Sequence, residues 1–215
     1  MSSAFDYFWA PDEGVDVEDI RDLVPFVVER APNTDPTEVR RALASAVNCF
    51  LTESGVWRRE DIPAISREGE VCIGSAGCAR IVSVEAVRRK SDDVTLFDAS
   101  AQYRSPTKSI IRDDGSGIYV VLDPNAKTGD QYEADVVLTV RLGSELCPRW
   151  VMERWGEAIA SKAAHVLITK GAPATTTHIQ TYRTAVQSVV ARKAMGGSSR
   201  SSGSGSAISS IVERI

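Results

Sequence analysis

The most reactive side chains in this chain are few, and most of them stand far apart in the sequence. They are four cysteines and two histidines: Cys49, Cys72, Cys78, Cys147, His165 and His178. Cys72 and Cys78 bracket a short loop that could bring two thiolates together, but a structural zinc ion needs two further ligands. With so few histidines at usable spacing, the pattern favours small core or loop cysteines. We therefore expect no bound metal.

The surroundings of the two histidines do not match a known catalytic arrangement. His165 falls beside the apolar stripe of a predicted helix, which is typical of a core histidine, and His178 lies at a helix start with no nucleophile nearby in sequence. Residues 74–77 and 115–117 contain glycines but lack the lysine and the strand-to-helix context of a phosphate-binding loop. Paired aspartates occupy predicted turns (Asp92–Asp93 and Asp113–Asp114). The sequence therefore predicts no enzymatic activity and no cofactor.

The composition is that of an ordinary globular protein, with 43% hydrophobic and 25% charged residues among 215. No apolar run reaches the ~18 residues of a membrane-spanning helix, and the N-terminus lacks a basic and then apolar signal pattern. We expect a cytosolic origin and reduced cysteines.

Charge is distributed unevenly around a net value of -4. The first 38 residues carry ten acidic and two basic side chains, so the rest of the chain has an excess of positive charge. From Arg183 to the C-terminus there are five basic residues and one acidic residue. This basic end could meet an acidic surface or a DNA backbone, although a solvated helix end followed by a loose tail would show the same pattern.

Two helices separated by Gly171-Ala172-Pro173 are predicted in the C-terminal third. Pro148 suits the opening turn of the first helix. Its apolar residues recur at spacings of three and four (Val151, Trp155, Ile159, Ala163, Val166 and Leu167). The second helix has a similar stripe (Ile179, Tyr182, Val186, Val189 and Val190) and ends with Arg192 and Lys193, which suit the end of its dipole. The pair should pack as a helical hairpin.

Two further helices are predicted before residue 55. Residues 16–30 show a helical spacing of apolar side chains, with acids in the first turns and a bend at Pro25 (Val17, Ile20, Val24, Val27 and Val28). Asp35 and Pro36 form a specific start signal for the next helix, and Gly55 supplies a left-handed stop. We expect these helices to pack against the two C-terminal ones.

Between residues 56 and 142 the pattern changes to short β-rich runs separated by turn residues. The predicted strands are residues 57–65, 70–73, 79–88, 94–97, 109–112, 117–122 and 132–142, with a strong hairpin turn at 113–117. The predicted fold class is therefore α+β. A four-helix bundle formed by residues 16–55 and 147–196 is split by a small inserted antiparallel β domain at 56–146.

The two ends of the chain lie outside this bundle and carry the predicted partner contacts. The N-terminal arm, residues 1–15, groups four aromatic residues that should pack on the protein's own core or anchor in a neighbouring subunit (Phe5, Tyr7, Phe8 and Trp9). Residues 197–215 form an extended tail, in which a Ser/Gly-rich tether precedes an apolar peptide with helical spacing (Ile208, Ile211, Val212 and Ile215). Such a peptide is typical of a segment that folds on a partner, and a frayed end or a peptide folded back on its own subunit is the alternative.

The order of several short motifs resembles a known family. Phe50, Ser54 and Trp57 are followed by Pro106-Thr107 and Leu122-Asp123-Pro124 in the β region, then by Cys147-Pro148, Trp155-Gly156-Glu157-Ala158-Ile159, Gly171-Ala172-Pro173, Tyr182-Arg183 and Arg192. Each motif is weak alone, and their order and spacing over residues 17–195 carry the likeness. The chain resembles the head-to-tail adaptor (connector) proteins of tailed bacteriophages, especially the short-tailed phages.

This resemblance implies a structural protein of the virion. Adaptors of this family form a ring, commonly of twelve subunits, that docks beneath the portal at the head-tail junction. The other side of the ring binds a tail nozzle or tail tube. The ring encloses the channel through which double-stranded DNA passes without sequence specificity. On this reading the C-terminal tail binds the portal, through Arg200 and the apolar residues of the terminal peptide. A small nucleic-acid-binding module that uses the basic C-terminal end is the alternative function.

Overall fold

A seven-stranded antiparallel sheet is the largest element of the fold. The computed structural model describes residues 16–67, 69–74, 79–99, 111–113, 119–168 and 176–196. Within them the strands are β2 (Arg58–Arg67), β3 (Glu70–Ile73), β4 (Ala79–Arg89), β5 (Val94–Asp98), β6 (Ile111–Asp113), β7 (Tyr119–Leu122) and β8 (Gln131–Val140). They pair in the order β5-β4-β8-β2-β3-β7-β6, and every neighbouring pair is antiparallel. The predicted strands therefore form one continuous sheet.

A short two-stranded sheet ties the N-terminal part of the described chain to the start of the third helix. In it β1 (Val17–Asp19) pairs with β9 (Leu146–Pro148), so that Glu18 lies opposite Cys147. The backbone N–H of Arg149 also donates to the carbonyl of Asp16, at 2.8 Å. Residues far apart in sequence are thus joined where the chain enters the helices.

Four α-helices and one 3₁₀ turn complete the described elements. The 3₁₀ turn spans Ile20–Leu23, and the helices are α1 (Val24–Arg30), α2 (Pro36–Ser54), α3 (Arg149–Ile168) and α4 (Thr176–Gly196). α2 packs on α3 and α4, α1 packs mainly on α3, and α3 and α4 pack together. The expected packing of the N-terminal helices on the C-terminal hairpin is confirmed.

The predicted ends of α2 are also confirmed. Asp35 Oδ1 accepts hydrogen bonds from the backbone N–H groups of Thr37 and Glu38, at 2.7 and 3.3 Å, and Pro36 occupies the first turn. Gly55 ends the helix in a left-handed conformation with φ 57°, which glycine adopts without a Cβ penalty. Local chemistry decides both ends of this helix.

The predicted helix over residues 16–30 is wrong in its first half. Asp19 accepts a 2.8 Å hydrogen bond from the backbone N–H of Arg21 and caps the 3₁₀ turn, while the residues before it extend along β9. Pro25 lies in the first turn of α1, where proline costs no hydrogen bond, and does not bend a longer helix. Only seven residues form α1.

The predicted fold class, a four-helix bundle split by a small β domain, is wrong. β8 lies between β4 and β2, is buried along almost its whole length and packs against α2. Asn48 of α2 donates from Nδ2 to the carbonyl of Val140, at 2.8 Å. One apolar core therefore runs through sheet and helices, because a strand covered on both faces serves both layers. The helices form one layer on a sheet, not a bundle closed on itself.

None of the helices that the structure describes is long and apolar enough to cross a membrane.

Candidate assembly surface

All of the predicted partner-contact residues lie outside the described part of the chain. These are the aromatic residues of the arm and the residues of the tail (Phe5, Tyr7, Phe8, Trp9, Arg200, Ile208, Ile211, Val212 and Ile215). Their contacts with a portal or a neighbouring subunit therefore stay predictions.

The cysteines and histidines take separate positions in the fold. Cys147 is buried in β9, where burial and the nearby carboxylate of Glu18 raise the pKa of its thiol to about 12. His165 is half-buried on α3 and His178 is half-buried near the start of α4. Among the described residues, no group of three or more histidine, cysteine, aspartate or glutamate side chains is placed to hold a metal ion. Cys78 and most of its loop lie outside them.

Three residues from separate sequence motifs meet in one aromatic cluster between the helices. Phe50 of α2 is fully buried, its ring centre 5.6 Å from Trp155 of α3 and 6.1 Å from Tyr182 of α4. The hydroxyl of Tyr182 donates to Glu53, at 3.0 Å, and the Lys162 ammonium lies 5.0 Å from its ring centre. Burial, followed by this carboxylate, raises the pKa of Tyr182. The cluster joins three helices that are distant in sequence.

The cluster extends to the protein surface through Trp150. Its ring lies edge-on to Trp155 at 5.8 Å, and 41% of the residue is exposed. Arg154 lies over the Trp155 ring, with its guanidinium carbon 5.1 Å from the centre of that ring. Tryptophan and arginine are the residue types that contribute most at protein interfaces.

A second motif residue, Asp123, is a buried carboxylate in the sheet layer. It accepts hydrogen bonds from the hydroxyl of Tyr132, at 2.9 Å, and from the backbone N–H of Asn125, also at 2.9 Å. The guanidinium of Arg89 lies 3.5 Å away. Asp123 is almost inaccessible to water, so these partners supply the hydrogen bonds that its charge requires. Its role is structural.

The close approach to α3 of the 3₁₀ turn that leads into α1 depends on Gly156. A Cβ atom at this position would lie 2.8 Å from Cδ2 of the buried Leu23. Arg30 forms an ion pair with Glu157, at 3.1 Å, and fixes the other end of α1. The small residue in the Trp-Gly-Glu motif therefore positions α1.

Docked in this way, α1 presents apolar and acidic side chains to solvent. Phe26 is 47% exposed and Val28 is 42% exposed, while Val27 between them is fully buried. Asp22, in the 3₁₀ turn that leads into α1, and Glu29 of α1 are also exposed. A seven-residue helix thus leaves much of its apolar surface uncovered, which is typical of a contact surface. We call Asp22, Phe26, Val28 and Glu29 the acidic α1 face.

α4 presents a surface of the opposite charge. Residues 176–196 contain no aspartate or glutamate, and Arg183, Val190 (44% exposed) and Arg192 are exposed. Arg183 and Arg192 are nine residues apart, so they lie on opposite edges of the exposed surface of the helix. Uncharged residues occupy that surface between them (Thr184, Gln187, Ser188 and Ala191). Lys193 points elsewhere, to Glu85 of β4 at 3.2 Å. We call Arg183, Val190 and Arg192 the exposed α4 residues.

Two open cavities lie beside the sheet, and their charged lining groups are already paired. One, of about 520 Å³, lies at an end of β2 and β8, and its Lys90 contacts Glu133 at 2.5 Å. The other, of about 430 Å³, lies between the ends of α2 and α4, and its Lys193 pairs with Glu85. The hydroxyls of Ser54 and Ser66 in these linings donate to backbone carbonyls and not to a side-chain base. The helical faces are therefore the stronger candidates for function.

Sequence reasoning missed the acidic α1 face. Val24, Val27 and Val28 suggested one buried stripe, but the sheet pairing of β1 sets the rotation of the following helix and leaves Val28 outside. Phe26 could have indicated this exposed surface, because an apolar residue at its position lies outside the stripe formed by Val24, Val27 and Val28. The basic end of α4 was predicted, and the structure adds that Lys193 is engaged with the sheet.

No protein-family model matches the sequence, and the search of curated proteins finds no significant match.

Proposed function

We propose that this chain is a structural subunit of the virion of a tailed bacteriophage, a head-to-tail adaptor. Copies of this chain would form a ring that docks beneath the portal, joins the portal to a tail nozzle or tail tube and encloses the DNA exit channel. The subunit would be made in the host cytoplasm and would catalyse no reaction.

The observation that carries the proposal is the convergence of the family motifs in space. Phe50, Trp155 and Tyr182 come from three separate motifs and form one cluster. Gly156 and Asp123, from two of the motifs, also have defined packing roles. Large aromatic side chains are buried in most packed cores, so the support lies in their meeting from three separate motifs. The convergence supports a shared architecture, and the adaptor role follows from that likeness.

Deletion of residues 198–215 tests the proposed attachment to the portal. Because this segment follows α4, its removal should leave the melting temperature unchanged while the subunit no longer co-sediments with purified portal rings. A matched variant with polar replacements only at Ile208, Ile211, Val212 and Ile215 should lose attachment equally. Unchanged co-sedimentation of both variants would contradict a portal-binding tail.

A nucleic-acid-binding module is the second candidate, favoured by the absence of acidic residues from α4. Binding to phosphates by Arg183 and Arg192 would weaken steeply as salt rises, because counterions are released on binding. The affinity for a mixed-sequence duplex at low and moderate salt measures this, and no binding at low salt removes the candidate.

A further inference from the structure

Two exposed side chains at the start of α3 form a patch that is both apolar and basic. Trp150 is 41% exposed, and Arg154, one helical turn later, is exposed as well. Arg154 lies over the ring of Trp155 and forms no ion pair with any of the described residues. The two side chains therefore offer an indole surface and a positive charge to another segment of chain. We call Trp150 and Arg154 the α3 patch.

The two glutamates that flank the patch on α3 bind other arginines. Glu153 contacts Nε of Arg149, at 2.9 Å, and Glu157 contacts Arg30, at 3.1 Å. Both glutamates follow Trp150 by about one or two turns, so they lie on the same side of the helix as the patch. Because each already has a partner, the charge of Arg154 is left to a carboxylate from elsewhere.

The N-terminal arm, residues 1–15, joins the described structure directly beside this patch. β1 runs antiparallel to β9, and just before β1 the carbonyl of Asp16 accepts a hydrogen bond from the backbone N–H of Arg149, at 2.8 Å. Continued by one residue, the same register would bring residue 15 opposite Trp150. The direction of β1 therefore leads the arm toward the α3 patch of its own subunit.

The arm has the composition that the patch would bind. It carries three carboxylates and no basic side chain, and its aromatic side chains are close together in sequence (Asp6, Asp12 and Glu13; Phe5, Tyr7, Phe8 and Trp9). Aromatic rings stack or pack edge-on against tryptophan, and a carboxylate can pair with an arginine. Seven residues of extended chain, from Trp9 to Asp16, span at most about 25 Å. The aromatic residues can therefore reach the patch next to the root of the arm.

Charge and distance disfavour other sites for the arm. The exposed Phe26 and Val28 of α1 have the carboxylates of Asp22 and Glu29 nearby in sequence, and these would repel an acidic segment. A second copy of the chain would have to be recruited from solution. A patch at the arm's own root is instead presented at an effective concentration on the order of millimolar, because a short linker joins the two.

We propose that the N-terminal arm folds back over the α3 patch of its own subunit. Its aromatic side chains cover Trp150, and one of its carboxylates pairs with Arg154. Of the two roles predicted for the arm, packing on its own subunit is thus favoured over anchoring in a neighbour. The contact lies within one subunit, so it goes beyond the proposed adaptor function and does not depend on it.

Photocrosslinking of mixed isotopes tests the contact on the full chain. Phe8 is replaced by p-benzoylphenylalanine, and chains from ordinary and heavy-isotope media are mixed in equal amounts in urea and refolded together. Any oligomer then contains both kinds of chain. After irradiation, mass spectrometry should find arm peptides joined to the peptide that contains residues 149–155. Light arms should be joined only to light peptides and heavy arms only to heavy ones, because one chain supplies both.

Two patch variants and a matched control relate the crosslink to the patch. Trp150→Ala and Arg154→Glu should each lower the crosslink yield at least about threefold, because tryptophan and arginine are the usual anchors of a contact. Arg80→Glu changes another exposed arginine, on β4 of the sheet layer, and should leave the yield unchanged. The melting temperature of each variant shows whether it is folded, and Arg154→Glu keeps the indole in place.

Three results would overturn the proposed contact. Mixed light–heavy pairs as frequent as unmixed pairs would assign the arm to a second copy. Crosslinks to other peptides, or a yield that neither patch variant lowers, would place the arm elsewhere. Absence of any crosslink to residues 149–155 from p-benzoylphenylalanine at both Phe5 and Phe8 would also reject the contact. Portal co-sedimentation is measured separately, and its failure would reject the adaptor function alone.

Discussion

At the scale of single residues, the buried carboxylate of Asp123 depends on Tyr132. The hydroxyl of Tyr132 donates to Asp123 at 2.9 Å, and both residues are almost fully buried. Burial, followed by this hydrogen bond and the negative charge, raises the pKa of Tyr132 to about 12, from an ordinary value of 10.0. The folded protein therefore favours the protonated phenol.

Replacement of Tyr132 by phenylalanine should lower stability and change its dependence on alkaline pH. The loss of the hydrogen bond to Asp123 should cost about 1 to 3 kcal/mol near neutral pH. A raised pKa gives stability that is present below the unfolded value of 10.0 and lost as pH rises through about 12. Urea unfolding between pH 8 and pH 11, roughly the range in which an unperturbed tyrosine begins to ionise, measures both effects.

The unaltered protein should lose more stability over this range than Tyr132→Phe, so the difference between them should narrow. Tyr182 is retained in both proteins and serves as the internal control. If the difference in free energy of unfolding between the two proteins stayed constant from pH 8 to pH 11, the ionisation of Tyr132 would not contribute to the pH dependence of stability.

At the scale of elements, α1 depends on a single small residue of α3. Gly156 allows Leu23 to approach to within 2.8 Å of where a Cβ would lie, and Arg30 pairs with Glu157 one residue later. The same contact fixes which side of α1 faces solvent. A change at Gly156 should therefore affect both the docking of α1 and any partner of the acidic α1 face.

Gly156→Leu should destabilise the protein by up to about 2 kcal/mol. Overpacking against Leu23 costs about 1 to 3 kcal/mol, and the better helix propensity of leucine offsets up to about 1 kcal/mol. Chemical unfolding gives the value. Limited proteolysis should show earlier cleavage within residues 24–30.

The same substitution in a Leu23→Ala background should cost less, because the smaller side chain leaves room. Equal costs in both backgrounds would mean that Gly156 and Leu23 do not determine this contact.

Much of the element structure could be predicted because local signals determine it. The cap at Asp35 and the stop at Gly55 involve residues within one turn, and strands such as Glu70–Ile73 appear at their predicted positions. The failures involve distant partners. The valine spacing before residue 24 looked helical, but pairing with residues 146–148 makes β1, and only tertiary contacts show that β8 is covered on both faces.

The candidate site was less predictable than the fold for a related reason. Phe26 and Val28 are apolar, and whether they face the core or solvent depends on how α1 docks on α3. The sequence does show that α4 lacks acidic residues, but it does not show that Lys193 is taken up by Glu85 while Arg183 and Arg192 are left unpaired within the described residues. The sign of the charge on α4 could be predicted from the sequence. Which of its basic side chains are free of ion pairs within the described residues could be read only from the contacts in the structure.

At the scale of the whole molecule, the sheet and the helices share one core. They are joined through β8 and α2, so the exposed residues of α1 and α4 belong to one layer of the fold. The proposed tail would then carry attachment to the portal, separate from the contacts between subunits.

Electron microscopy of the full chain mixed with its portal is the decisive measurement for the adaptor role. We expect a closed ring of this chain coaxial with the portal, with an open channel wide enough for double-stranded DNA. Particles that show an unaltered portal beside monomeric subunits would contradict it.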